Sequence, residues 1–459
     1  MKHWISQLGR SLLLILVVAL CLRCAFLFHQ ARLIPAEVLA SVPFQNEVGN
    51  VADSLAHGQG FCRLFRQPTG PTAWLAPVYP LLIAAIFKLF GSFTVASFYV
   101  AALMNTVFSA LACIPLFYAG KCIAGVGASA AACWIWAIFP SGVMMPFEWI
   151  WDPSLSAFFA AALLWATLYV ADSRRARDFA LYGLLWGVSL LTNPGLGALL
   201  PFLLGWMAYR QFRSGSFRLM PLMVVFAVLF ACCLPWTIRN AVQFHRLIPV
   251  RANFPYELWS GNNEIFDEHS RAVNRITRYE QTRRYAQLGE NAFLDEKWQK
   301  ATEFIRTHPA LYAQLFGRRM VATWLGAESP WQLFSRSDSL LVRGILIWNA
   351  FTLLGTIGGL LRLLAARNPF LFPVAVFPLV FPITFYIAHT SLRHRHPCDP
   401  IIALLVAMAL LGDCLTRSNS TSSALPHPLQ TSRGAKKQPA KCGRLLGTLR
   451  HGCRRNVGY

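Results

Sequence analysis

Apolar residues fill most of this chain in stretches too long for the core of a water-soluble domain. They fall at residues 11–28, 94–118, 123–141, 153–171, 179–192, 195–209, 221–238, 343–361, 370–389 and 399–415. Several approach the ~20 residues a helix needs to cross a hydrocarbon core of about 30 Å. The pattern predicts an all-α integral membrane protein, a polytopic bundle of about ten transmembrane helices. Two of them, on either side of Thr192-Asn193-Pro194-Gly195, are short, as helices of a tight hairpin inside a bundle can be. A polar region from Arg239 to about His308 interrupts the apolar series.

Two further pieces are ambiguous by pattern alone: 74–90, broken by Pro77 and Pro80, and the amphipathic 311–325. Counting either as a crossing flips every loop after it, so the distribution of cations decides. If both lie along the membrane surface, then Lys121, the Ser173-Arg174-Arg175-Ala176-Arg177 loop, Arg210 to Arg218 and Arg362 to Arg367 all face the cytoplasm, as basic loops do. This places both pieces as juxtamembrane helices on outer-face loops, at about 30–92 and 239–342. Residues 1–415 then form the membrane domain. The Ser-, Lys- and Arg-rich 416–459 form a disordered cytoplasmic tail beside anionic lipid.

Composition agrees with a lipid solvent. Of 459 residues, 55% are hydrophobic and 14% charged, against about 25% charged in soluble domains. The net charge of +22 resides in loops and tail, without a basic soluble domain, so nucleic acid is not the expected partner. The first span follows Lys2 and Arg10 and has no small-x-small cleavage site, which reads as an uncleaved signal anchor in a cell inner membrane. Twelve cysteines, scattered singly or as Cys232-Cys233 and mostly inside apolar runs, read as small apolar fillers.

On the outer face this topology gathers the acids and bases worth weighing. Glu47 stands before a stretch whose apolar positions 48, 51, 52, 55 and 56 repeat at helical spacing. It could take a proton from an acceptor hydroxyl or simply suit a helix N-terminus. Glu148 and Asp152 flank Trp149, Ile150 and Trp151. Acids at that depth usually face a cavity, where they could hold a sugar hydroxyl or a metal, although Asp152 also fits a plain N-cap. Arg239, and Arg393 and Arg395 in Leu392-Arg393-His394-Arg395-His396-Pro397, break the charge rule at the outer surface, which a phosphate at headgroup level would explain. His394 and His396 lack the spacing of an HExxH-type metal site.

The order and spacing of several runs resemble the family C glycosyltransferases, in the bacterial branch similar to protein O-mannosyltransferases and the aminoarabinose transferase of lipid A. These runs are Glu47-Val48-Gly49 through Phe61, Pro68-Thr69-Gly70-Pro71-Thr72-Ala73-Trp74 through Pro80, Trp151-Asp152-Pro153-Ser154-Leu155 and Pro235-Trp236-Thr237-Ile238-Arg239-Asn240. Glu257-Leu258-Trp259-Ser260-Gly261-Asn262-Asn263 and Arg393-His394-Arg395-His396-Pro397 through Pro400 complete them. The resemblance implies an inverting hexosyl or pentosyl transferase, active at the outer face, that takes its sugar from a polyprenyl-phosphate donor. The acceptor would be a protein, lipid or glycan. It implies Glu47 as general base, Arg239, Arg393 and Arg395 near the donor phosphate, and Glu148, Asp152, Asn262 and Asn263 lining the sugar and acceptor cavity. No cofactor is required, with room left for a divalent metal. The chain departs from the family where Asn46 precedes a lone Glu47 and where His394 replaces the aromatic of an Arg-Tyr-Arg motif.

A transporter or flippase of a lipid-linked sugar is the alternative, since it too needs an arginine-lined cavity. No inverted repeat joins the two halves, and the polar matter lies on one face instead of the midplane. A non-catalytic scaffold would leave Glu47 replaceable. The absence of a GxxxxGK[ST] motif argues against an ATP-driven pump.

Overall fold

Each apolar stretch is helical in the computed structural model, which describes residues 11–65, 67–215, 217–263, 273–326 and 340–411. In chain order the helices begin with α1 (Leu12–Arg32), α2 (Ala36–Ser41), α3 (Glu47–Ala56), α4 (Val78–Phe90), α5 (Val95–Leu111), α6 (Cys113–Ala137) and α7 (Pro140–Glu148). There follow α8 (Pro153–Val170), α9 (Ala176–Thr192), α10 (Leu200–Arg213), α11 (Leu219–Phe244), α12 (Phe254–Gly261), α13 (Val273–Leu288) and α14 (Glu290–Thr307). The last are α15 (Pro309–Leu325), α16 (Leu340–Ala365), α17 (Leu371–Val380), α18 (Ile383–Ile387), α19 (Leu392–Arg395) and α20 (Asp399–Leu410). Among the described residues there is no β-strand, only an isolated bridge between Cys62 and Pro71. All of them belong to one unit, 1–418. Lys2, Arg10 and the tail expected at 416–459 lie outside the described residues.

Five helical stretches are long and apolar enough to cross a membrane: Leu12–Arg32, Val95–Ala137, Pro153–Val170, Leu219–Phe244 and Arg343–Ala365. Val78–Phe90 and Leu371–Ile387 are shorter apolar helices. At a rise of 1.5 Å per residue, the 13 residues of α4 reach about 20 Å, short of a crossing. The long stretch Val95–Ala137 turns back on itself at Gly125, whose φ of 83° favours a residue without Cβ. The returning arm is bonded to the outgoing one: Trp136 Nε1 donates to the Ser109 carbonyl (2.8 Å), Cys133 Sγ to that of Cys113 (3.4 Å) and Ser129 Oγ to that of Phe117.

The centre of the bundle is α20, in which every residue from Asp399 to Met408 is buried, as expected of a helix apolar on all sides. It packs against α6 and α16. The approach of α16 depends on Gly355 and Gly359, where a Cβ would run into Val406 and into the Leu405 carbonyl. This is small-residue packing, which lets membrane helices approach closely. Arg23 is buried in the middle of α1. Its guanidinium donates to Ser109 Oγ (2.9 Å) and to the carbonyls of Ala19, Trp136 and Ala137, so the negative end of α6 serves as its counter-charge.

The helix α8 separates two polar ends by about 27 Å. Past its C-terminus, Asp172 pairs with Arg210 (2.9 Å), and at the same end Asn368 donates to the Ile123 carbonyl (3.1 Å). Asp152 stands at the N-terminal boundary at the other end, and the candidate chemistry collects there.

Candidate functional site

The mouth of the bundle is assembled from four distant parts of the chain. Asn46 is the N-cap of α3, its side chain accepting from Gly49 N (2.9 Å), so Glu47 is the first helical residue and not the residue before the helix. Burial of Val48, Val51 and Ala52 fixes the face of α3 and turns half-buried Glu47 to the rim. From α19 comes Arg393, whose guanidinium lies 4.4 Å from the ring centre of Trp149 and 5.7 Å from that of Trp151. Burial lowers the pKa of Arg393, against which Glu257, Glu47 and Asp152 act by their charge. The charges of three carboxylates from three segments thus act on one guanidinium.

Asp152 is the N-cap residue of α8 but makes no capping bond; its Oδ2 accepts from Ser156 Oγ at 2.7 Å. Burial raises its pKa, and Ser156, Arg251 and Arg393 oppose the rise. Asn193 Nδ2 supports Ser156 Oγ (3.1 Å), and Asn105 Nδ2 holds the Trp149 carbonyl (3.2 Å). The aromatic shelf under Arg393 is therefore fixed by the backbone.

Arg251, Glu257 and His389 are mouth residues that the sequence reading did not single out. Glu257 Oε1 accepts from Asn253 Nδ2 (2.5 Å) and from Arg251 Nη2 (3.5 Å), and its Oε2 lies 3.3 Å from His389 Nδ1. Arg251 was findable, being a further cation on the outer side of the positive-inside assignment. Nothing local marks His389.

The other expected site residues stand elsewhere. Arg395 is buried and fully used: Nε donates to Asp399 Oδ1 (3.0 Å), Nη1 to the Trp324 carbonyl (2.8 Å) and Nη2 to Asn349 Oδ1 (3.0 Å). Arg239 donates to the carbonyls of Thr72 (2.7 Å) and Phe61 (2.9 Å) and to Asn240 Oδ1 (2.9 Å). Asn262 is buried, its amide N–H groups on the Leu258 and Ile387 carbonyls and its oxygen on Arg319. Asn263 Nδ2 bonds the Trp259 carbonyl (2.8 Å). Glu148 ends α7, exposed, and makes no hydrogen bond or ion pair among the described residues. Arg393 differs: among the described residues its Nη1 and Nη2 make no hydrogen bond, while Nε reaches His394 Nε2 (3.3 Å). No group of three or more His, Cys, Asp or Glu side chains suited to a metal ion occurs among the described residues.

Elsewhere in the fold a buried carboxylate joins three segments. Glu290 accepts from Thr72 Oγ1 (2.5 Å), Tyr285 Oη (2.6 Å) and Ala73 N (2.7 Å). Its pKa is raised by burial despite these donors and the nearby Arg239.

No protein-family profile and no curated protein matches the sequence. Among solved structures, the archaeal oligosaccharyltransferase AglB from Archaeoglobus fulgidus, in complex with an inhibitory peptide and a dolichol-phosphate, superposes at a TM-score of 0.52. Its identity is 15%, over 92% of this chain and 52% of that one. The Archaeoglobus fulgidus oligosaccharyltransferase tethered to an acceptor peptide with an NVT sequon matches at 0.51, with 14% identity and the same coverage. ArnT from Cupriavidus metallidurans bound to undecaprenyl phosphate overlaps only loosely, at a TM-score of 0.37 and 11% identity over 87% of this chain and 77% of that one. The chain therefore shares the fold of these archaeal oligosaccharyltransferases over 52% of their length. The chain spans about half the length of the oligosaccharyltransferase chains it matches, 52%.

Proposed function

We propose that the chain is an inverting glycosyltransferase that takes a hexosyl or pentosyl group from a polyprenyl-phosphate donor at the outer face of the cytoplasmic membrane. The acceptor is a hydroxyl of a protein, lipid or glycan. The observation that carries the reading is Arg393, set over the Trp149 and Trp151 rings with Nη1 and Nη2 making no hydrogen bond among the described residues, and with the charges of Glu257, Glu47 and Asp152 acting on it. The shared fold supports it, and so does the dolichol-phosphate present with the archaeal oligosaccharyltransferase.

In this reading the acceptor oxygen attacks the anomeric carbon as Glu47 takes its proton, and the bond to the donor phosphate breaks on the opposite side. The polyprenyl phosphate leaves as an anion. Positive charge already in place stabilises that leaving group without reorganisation, and Arg393, with Arg251 behind it, supplies the charge. Asp152, held by Ser156, accepts a sugar hydroxyl. Arg239, Arg395 and Asn262, whose donors already meet carbonyls and side chains, hold the walls. Glu148 stays outside the reacting cluster. The chemistry balances with no cofactor, and the arginines meet the charge that a divalent metal would otherwise neutralise.

The test is to supply membrane vesicles with labelled polyprenyl-phosphate sugars and follow the release of polyprenyl phosphate against formation of glycosylated product. Arg393→Gln, which removes one charge-assisted contact of about 1.5–3 kcal/mol, should cut kcat/KM for the donor roughly 10- to 100-fold. Movement of the intact lipid-linked sugar across the vesicle with no release would overturn the reading in favour of transport.

A further inference from the structure

Beside the helix that carries Glu47 lies a pocket of about 250 Å³, lined by Ser41, Asn50, Asp53, Arg63 and Phe93. Asn50 and Asp53 follow Glu47 at i+3 and i+6 on α3, so the three form one row on the helix surface. Six residues along the axis put the Asp53 end of the row about 9 Å from the candidate base. None of Arg393, Trp149 and Trp151 lines the pocket, so it is separate from the phosphate end of the mouth. Its volume falls just below the ~300–1,000 Å³ of pockets for drug-sized ligands, which suits a single small ring.

All five lining residues are partly exposed, so a ligand can reach them. Ser41 Oγ gives its proton to the Glu37 carbonyl (2.8 Å) and is left as an acceptor. Asn50 spends Nδ2 on the Leu64 carbonyl (3.1 Å), which leaves its Oδ1. The Asp53 carboxylate has Arg63 Nη1 at 3.5 Å and His57 Nδ1 at 3.2 Å, yet accepts no hydrogen bond among the described residues. Three acceptors thus line the pocket beside one donor side chain, the Arg63 guanidinium. An anion would meet three groups of lone pairs, and a metal ion a single carboxylate already paired with arginine. A neutral ligand rich in hydroxyl donors matches the set. Phe93 supplies an apolar wall, its ring centre 5.4 Å from that of Phe87 and 6.3 Å from that of Phe44; the negative face of an aromatic ring attracts the C–H groups of a sugar.

The backbone is held in an unfavourable state on both sides of the pocket. Arg63 and Phe93, with φ of 60° and 56°, are two of the four non-glycine residues with positive φ among the described residues. Such outliers gather where a ligand is clamped. Arg63 is kept there by its N–H on the Gly70 carbonyl (3.1 Å), next to the bridge between Cys62 and Pro71.

We infer that this pocket binds a neutral saccharide unit of the acceptor, adjoining the sugar whose hydroxyl gives its proton to Glu47. The acceptor is then a glycan, or the sugar part of a glycolipid, and not a lone protein hydroxyl. Asn50 and Asp53 accept from the ring hydroxyls, Arg63 donates to one, and Phe93 covers the apolar face. Its role as an acceptor subsite rests on the glycosyltransferase reading; the binding of a saccharide does not.

Saturation-transfer NMR on the full chain, in lipid nanodiscs free of glycolipid, tests the binding with mannobiose, N,N′-diacetylchitobiose and lactose as probes. Wild type should bind at least one at millimolar concentration, without competition from inorganic phosphate. Asp53→Asn should weaken that binding about tenfold, as expected for a lost charge-assisted hydrogen bond. Arg63→Gly suits the left-handed backbone, so it should keep the melting temperature of wild type while binding falls by a similar factor. With the same disaccharide as acceptor, Asp53→Asn should raise the acceptor KM and leave the donor KM unchanged. Binding of no probe by wild type, binding untouched in both variants, or competition by phosphate would each overturn the inference. So would transfer to serine and threonine peptides in place of the saccharides. Saccharide binding that the variants lose, with no sugar transfer by wild type, would uphold the pocket and overturn only the transferase reading.

Discussion

Arg393 and Arg395 share one helical turn, yet belong to two different kinds of polar region. Arg395 is 2% exposed and bonded to Asp399, Asn349 and a backbone carbonyl. It belongs with Arg239, Arg319, Asn262 and Glu290 to a set of clasps in which polar groups are paired off inside the fold. Arg393 stands half-buried on an aromatic shelf among three carboxylates from distant segments. The clasps hold loops to the bundle, and the mouth keeps its charge available. A sequence motif of two arginines two residues apart cannot tell these roles apart; the difference comes from which way each faces on a single turn.

Breaking a clasp should cost more stability than any change at the mouth. Arg395→Met leaves Asp399 charged and buried, a loss of about 3–5 kcal/mol, read as a collapse of the melting temperature in detergent. Arg393→Met should cost no more than the ~0.5–2 kcal/mol of its ring contacts. Equal losses would erase the distinction.

A smaller effect is expected at the clasp between loop segments. Glu290→Ala strands the hydroxyls of Thr72 and Tyr285 and the Ala73 N–H, at about 1–3 kcal/mol for the unsatisfied groups. Faster proteolysis between Phe61 and Trp74 should report it, and unchanged cleavage there would remove Glu290 from the clasps. The raised pKa of Glu290 means that the fold binds its proton more readily than the unfolded chain. Its share of stability therefore falls as pH rises above 4.5, its ordinary value.

The smallest effect belongs to Lys297, buried with its ammonium 3.9 Å from the Trp259 ring centre. Desolvation lowers its pKa to about 8, with Glu296 opposing. Between that value and the ordinary 10.5 the unfolded chain binds more protons than the fold, so stability should rise with pH across this window. The rise should be on the order of 1–2 kcal/mol and should vanish in Lys297→Met. A slope that persists in Lys297→Met would assign it to other groups.

The bundle was legible in the sequence because a lipid solvent demands apolar helices, and each predicted stretch is helical where it is described, five of the helical stretches being long enough to cross a membrane. The turn between 94–118 and 123–141 was looked for near Lys121, but the chain reverses at Gly125; both arms are apolar, so periodicity carries no mark of the break. Arg23 was passed over because its counter-charge is made of carbonyls more than a hundred residues away. Glu257 lay inside a run that carried the family resemblance, whereas the partnership of Arg251 and His389 with it exists only after α12 and the segment following α18 come together. Local patterns report burial and helix ends; which polar group is spent and which is left open depends on tertiary contacts.

The central claim is that the mouth is a reacting site with Glu47 as its base. Glu47→Gln keeps the shape at the start of α3 and removes the proton acceptor. Sugar transfer from a polyprenyl-phosphate donor should fall by about 10²–10⁴ while membrane levels and melting temperature stay those of wild type. Undiminished transfer in Glu47→Gln would contradict the account and move the base to another carboxylate of the mouth, Asp152 first.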